Sequence, residues 1–289
     1  MKIVTDCAAD LSADERKTLG IAEAPLYIQF PDGEIDATEI SPDDFYNRLE
    51  AMRPEIPTTA QPSSGLFAEM YRKLLEDGAD EILSIHLSSG LSGTFNSAMT
   101  GAAQLKDKAI SVVDSMTLSG GLRFQVLAAA QAAKAGWSLP AVQERLDAIR
   151  EKTEVVYTLE TLEYLARGGR IGRVQALAGS VLKIKPIIRV DHADGKYSTI
   201  GKGRTIKKNI AEMKNHLAEI YGDTPLWGTV LHGRFEKGAE MMATALEEGL
   251  NIKKLETIRI SPVLGVHTGP GIVGAAVVPM DLVDDLLEK

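Results

Sequence analysis

A single cysteine, Cys7, in a chain of 289 residues excludes an intramolecular disulfide and fits a reducing cytoplasm. The N-terminal MKIVTDCAAD has no apolar run suited to a secretory signal, which supports the same compartment. No apolar stretch approaches the ~20 residues needed to cross a bilayer, so no transmembrane segment is expected. Positive charge is also scarce: 32 Lys and Arg stand against 40 Asp and Glu, for a net charge of -8. Nucleic-acid and anionic-membrane surfaces need clustered cations, so neither is expected as a partner. Several chemical signatures are missing as well. There is no GxxxxGK[ST] loop, no GxSxG elbow, no HExxH and no CxxC, and no GxGxxG follows the first strand. Nucleotide, elbow-serine, zinc-protease and dinucleotide chemistries lose their usual sequence basis, and no cofactor or metal is expected.

What is present is an ordinary globular composition, 44% hydrophobic and 25% charged, in a chain long enough for two cores. The first half alternates short β-rich runs with amphipathic helical stretches, the rhythm of a parallel sheet covered by helices. Strands are predicted at Lys2 to Thr5, Glu81 to His86 and Ala109 to Val113. Helices are predicted after Ser41-Pro42, from Ser63 to Leu75, from Ser119 to Ala135 and from about Leu139 to Lys152. From about Glu154 six further strands are expected, at 155–158, 186–190, 197–200, 226–231, 255–260 and 274–278. Asp194-Gly195 supplies the positive-φ residues of a hairpin between the second and third of these. The expected fold is α/β in two domains. Residues 1–152 form a Rossmann-like, parallel-sheet domain, and residues 153–289 form an α/β domain with a mixed sheet of about six strands.

Several loops bear groups able to meet an anion. Ser88-Ser-Gly-Leu-Ser-Gly-Thr-Phe-Asn-Ser97 joins a strand to a helix through small residues, which leaves backbone N–H groups unpaired. Ser92 either caps that helix or offers its hydroxyl to a ligand, with Gly93 and Thr94 adding N–H donors. Thr59, between Pro57 and Pro62, sits in a stiffened loop with its hydroxyl free, or simply in a helix approach capped by Ser63. His267, in His-Thr-Gly-Pro-Gly271, is a hydrogen-bonding group beside flexible backbone or a solvated turn residue. Arg167 and Arg170 flank Gly168-Gly169. Arg167 is explained by a helix C-terminus, whereas Arg170 is not. Lys202, Arg204, Lys207 and Lys208 concentrate positive charge in an acidic chain, as a solvated helix start or as a docking surface. Asp6 and Asp10 suggest a metal, but two loop carboxylates more often cap the next helix.

Taken in order, these segments resemble the DegV family, the fatty-acid-binding proteins that serve bacterial fatty acid kinases. The likeness rests on Asp6 with Asp10-Leu11, Thr59-Ala-Gln-Pro-Ser63, Ser89-Gly-Leu-Ser-Gly-Thr94, Leu165 to Gly172, Leu182-Lys-Ile-Lys-Pro186 and His267-Thr-Gly-Pro-Gly271. Cys7 and Ala60 depart from it, standing where serines are usual. The resemblance implies a long-chain fatty acid lying between the domains, its carboxylate bonded by Thr59, Ser92 and His267, with Arg170 nearby. It also implies a partner, the kinase catalytic subunit, which phosphorylates the bound acid to an acyl phosphate for phospholipid synthesis. This chain would then be a carrier and not an enzyme, with Lys202, Arg204, Lys207 and Lys208 docking the kinase. The residue types also admit a serine acyl hydrolase or transferase using Ser92 and His267, or a carrier of another lipid.

Overall fold

The computed structural model describes residues 1–106, 109–177 and 184–286. In chain order its regular elements are β1 (Lys2–Asp6), α1 (Ala13–Leu19), β2 (Ala22–Ala24), β3 (Tyr27–Phe30), β4 (Gly33–Asp36), α2 (Pro42–Ala51), β5 (Thr58–Ala60) and α3 (Ser64–Glu76). There follow β6 (Ile82–His86), α4 (Thr94–Ala103), β7 (Ile110–Asp114), α5 (Ser119–Lys134), α6 (Leu139–Lys152), β8 (Glu154–Thr158) and α7 (Glu163–Arg167). The remainder comprises β9 (Lys185–Val190), β10 (Tyr197–Gly203), α8 (Ile206–Tyr221), β11 (Leu226–His232), α9 (Glu236–Gly249), β12 (Ile252–Arg259), α10 (Pro262–Thr268) and β13 (Val273–Pro279).

The strands form three sheets. A parallel sheet has the order β2-β1-β6-β7, and a mixed one has the order β10-β9-β8-β13-β11-β12. In the mixed sheet only β11 and β12 run parallel. All six strands expected after Glu154 are present, as are the helix starts at Ser41-Pro42 and Ser138. The first half holds more strand than expected. β2 joins the parallel sheet, and β4-β3-β5 forms a small antiparallel sheet that includes Thr59. These strands are only three or four residues long, too short for period-two alternation to register. In the β9–β10 connection only Gly195 is left-handed, at φ 64; Asp194 instead accepts the Lys196 N–H through its carboxylate.

α5 joins the halves. Thirteen of its sixteen residues are buried, and it packs against β1 and β6 on one side and β8, β11 and β13 on the other. A helix covered on both sides needs small residues where it crosses a sheet. A Cβ on Gly120 would come within 2.6 Å of Ala276 Cβ, so Gly120→Val would push the helix off the mixed sheet. Leu122 and Phe124 on the same helix are fully buried, each contributing roughly 1.5–3 kcal/mol. The core they anchor is continuous from Leu83 and Ile85 through Phe45 and Leu49 to Tyr157, Ile188, Val263 and Leu264. Smaller clusters lie under α3 and α4 and under α8 and α9. Among the described residues no helix is long and apolar enough to cross a membrane.

Candidate functional site

A narrow cavity opens where the small sheet, the Ser88–Ser92 turn, β10 and α10 converge. Its polar lining is Thr59, Ser92, Arg170, Tyr197 and His267, and its apolar lining is Leu26, Leu87, Leu91, Leu118, Val263 and Leu264. Its volume is about 30 Å³, room for one water-sized group. Anything longer requires the lining side chains to move. Much larger, more open clefts of about 320 and 540 Å³ lie elsewhere, and in the larger of these two Arg16 pairs with Glu23 and Arg123 with Glu15.

Each polar group reaches the cavity by a distinct local device. Thr59 sits on β5, opposite Ile28 of β3, and its hydroxyl is not free: Oγ1 lies 2.8 Å from His267 Nε2. His267 occupies the last turn of α10 and is buried, not a solvated turn residue. Its Nδ1 has no hydrogen-bond partner and faces Gly168, where any Cβ would overlap the ring. Burial pushes the imidazole down to about 3, and the nearby Arg170 guanidinium acts in the same direction. The ring is therefore neutral near pH 7. Protonation at Nε2 leaves no stranded N–H, and the Thr59 hydroxyl then accepts from histidine and keeps its own proton for a further acceptor.

Ser92 ends a turn whose N–H groups are partly satisfied internally, contrary to the expected fan of free donors. Ser92 N–H bonds Ser88 O at 3.1 Å, and Thr94 N–H bonds Ser92 Oγ at 3.3 Å. The N-cap of α4 is Gly93, packed against Gln61, and a Cβ there would come within 2.8 Å of Gln61 Nε2. Thr94 is buried, with Oγ1 2.9 Å from Ser92 Oγ, so it supports Ser92. Arg170 lies beside the cavity, donating to Gly168 O at 2.7 Å and to Leu91 O at 3.4 Å. Arg167 points away, paired with Glu163 at 2.9 Å at the end of α7.

The nucleophile–base pair needed by a serine hydrolase is not assembled here. Ser92 pairs with Thr94, His267 pairs with Thr59, and no carboxylate orients Nδ1. Asp6 caps the turn Cys7–Ala9 by accepting the Ala8 N–H, as a loop carboxylate was expected to do. Asp10 caps no helix with its side chain; it accepts from Ser119 Oγ and Ser261 N. Lys202, Arg204, Lys207 and Lys208 are exposed at the end of β10 and the start of α8, where Thr205 caps the helix. None has an ion-pair partner among the described residues. Tyr197 and the six apolar residues of the lining are not evident in the sequence. They are scattered from Leu26 to Leu264 and look like ordinary core. Leu182 and Lys183 of the Leu182–Pro186 motif lie outside the described residues.

The DegV family model, described as an uncharacterised protein family, matches residues 1–280. A DegV domain-containing protein of Clostridium perfringens is 36% identical over 276 residues, 95% of this chain and 97% of that one. Solved structures agree over 96% of the chain. A DegV family protein from Thermus thermophilus, described for its fatty acid binding, superposes with a TM-score of 0.89 at 33% identity, covering 96% and 99% of the two chains. DegV of Bacillus subtilis, a fatty-acid-binding protein, gives 0.86 at 29% identity over 96% and 98%. A stearic-acid-binding protein from Eubacterium ventriosum gives 0.85 at 26% over 96% and 98%. With the parallel four-stranded sheet, the mixed six-stranded sheet and this match over nearly its full length, the chain belongs to the DegV family.

Proposed function

We propose that this protein binds a long-chain fatty acid between two domains, residues 1–152 and 153–289, and presents its carboxylate to a separate fatty acid kinase. The observation that carries this reading is the convergence of Thr59, Ser92, Arg170 and His267 with six apolar side chains on one cavity. The acyl chain enters by displacing the leucines of the lining. Each buried CH₂ returns about 0.8 kcal/mol, so a long tail outweighs that repacking and supplies most of the affinity. The head group needs only to be satisfied. Thr59 donates its hydroxyl proton, held in place by His267. Ser92 donates from the turn, braced by Thr94 and Gly93, and Arg170 provides the nearby positive charge.

A carboxylate held by neutral donors keeps its nucleophilic oxygen available for phosphorylation, and the kinase brings the nucleotide. Exposed and without an ion-pair partner among the described residues, Lys202, Arg204, Lys207 and Lys208 form its docking surface. The setting is the cytoplasm, where the one cysteine, Cys7, stays a buried thiol with its pKa pushed well up by burial. Solvent extraction of the purified protein followed by mass spectrometry should recover a long-chain fatty acid. Lipid-free protein that also fails to bind added palmitic acid would overturn the reading. For the kinase step, Arg204→Glu should slow acyl phosphate formation and flatten its salt dependence while leaving bound lipid unchanged. An unchanged rate and salt slope would remove the docking assignment.

A further inference from the structure

At the end of β1 the chain makes a single 3₁₀ turn, Cys7–Ala9, and closes it with Asp10 in the left-handed region (φ 52, ψ 37). The Asp10 carboxylate then ties together two distant helix starts. Oδ2 accepts the Ser119 hydroxyl at 2.5 Å, at the first residue of α5, and Oδ1 accepts the Ser261 N–H at 2.7 Å, at the N-cap of α10. Ser119 is itself left-handed, at φ 50. Two non-glycine residues facing each other in this sparsely populated conformation persist only where their surroundings over-determine them, and such residues cluster at functional sites.

What the clamp holds is the helix that carries His267. α10 has seven residues, about 10 Å at 1.5 Å per residue, so its two ends move as one body. Gly265 in its middle lies against α2, where a Cβ would come within 2.6 Å of Phe45 Cε1. The last turn brings His267 Nε2 to Thr59 Oγ1 at 2.8 Å. Asp10 itself is absent from the cavity lining, and its carboxylate acts at the far end of the helix. We propose that Asp10, with Ser119, is the positioning residue of the head-group site, fixing α10 so that His267 orients the Thr59 hydroxyl towards a ligand carboxylate. The ligand part of this inference rests on the fatty-acid reading above.

The test compares dissociation constants for palmitic acid and methyl palmitate on the full-length protein, together with the ¹⁵N shift of His267 Nε2 in protein free of added lipid. Asp10→Ala should lower the acid-over-ester preference about tenfold, the scale of one charge-assisted hydrogen bond, and should move the His267 resonance. Ser119→Ala should do the same to a smaller extent. Asp10→Asn should rescue both readouts, because its carbonyl still accepts from Ser261 N and its amide can donate to Ser119 Oγ. Leu217→Ala, a core change under α8, should destabilise the fold without altering either readout. A parental acid-over-ester ratio and an unmoved His267 resonance in Asp10→Ala would overturn the proposal and leave Asp10 a purely structural tie. If the parent protein does not distinguish acid from ester, the fatty-acid reading fails instead. The His267 resonance then still decides whether Asp10 positions the ring.

Discussion

Two buried histidines in this protein meet hydroxyl groups in opposite ways. His86, at the end of β6, has Nδ1 2.9 Å from Asp6 Oδ2 and Nε2 2.7 Å from Ser84 Oγ, and Tyr71 donates to that serine at 2.8 Å. Asp6 also accepts the backbone N–H groups of Ala8 and Leu87. Tyr71, Ser84, His86 and Asp6 are all fully buried. Serine, histidine and aspartate thus stand in the order of a hydrolase triad, yet every polar side-chain atom of these four residues has a partner and is sealed from solvent. His267 has the opposite character: one nitrogen bonded, the other unpartnered, and a cavity alongside. A complete polar network rigidifies the framework, whereas here the Thr59 hydroxyl, bonded to His267 and beside the cavity, keeps a proton that a ligand carboxylate can accept.

The largest expected effect comes from breaking the complete network. Asp6→Ala strands the His86 ring and two backbone N–H groups in the interior, and should cost about 3–5 kcal/mol of stability by denaturant unfolding. The acid-over-ester preference of the refolded protein should not change. Loss of that preference would make the two regions one coupled site.

Next in size is Ser92→Ala, which removes one donor to a charged acceptor and should weaken palmitic acid binding by roughly 1.5–3 kcal/mol while barely moving the melting temperature. A stability loss with unchanged affinity would place Ser92 in the framework class with Ser84.

A smaller effect is expected from pH. His267 falls from 6.5 to about 3, so between those values the unfolded chain holds a proton that the folded chain does not. Its contribution to stability rises with pH across that window and is lost on acidification. Burial raises Asp10 from 3.8 to about 7, so the folded chain holds the extra proton and stability falls as pH rises across that range. The two slopes oppose each other between about pH 4 and 6.5. His267→Gln should therefore expose a decline in stability with rising pH, and Asp10→Asn should expose a rise. Parallel profiles for both variants and the parent would contradict these assignments.

Much of the framework follows from local pattern. The six strands after Glu154 and the helix starts at Ser41, whose side chain caps α2, and at Ser138, where Pro140 opens α6 without a side-chain cap, are carried by β-branched runs and by serine and proline chemistry, which act within a few residues. The segments carrying Thr59, Ser92 and His267 are equally visible as hydroxyl and glycine clusters, and the family likeness implies that they share one site. Their pairings are not visible, because Thr59 and His267 are 208 residues apart and a hydrogen bond across that separation leaves no local trace. The same holds for Asp10. Its sequence neighbourhood suggests a cap, and only the approach of Ser119 and Ser261 turns it into a clamp. The apolar lining is hidden for another reason: a leucine facing a cavity and a leucine in a core have the same sequence signature.

A crystal structure of the protein with palmitic acid shows directly where the carboxylate lies. A carboxylate oxygen should lie at ordinary hydrogen-bond distance, about 2.5–3.0 Å, from Thr59 Oγ1 and Ser92 Oγ, with the tail among Leu26, Leu87, Leu118 and Leu264. A head group seated in the charged cleft beside Arg123 and Arg259, or one that leaves the Thr59 hydroxyl untouched, would contradict it.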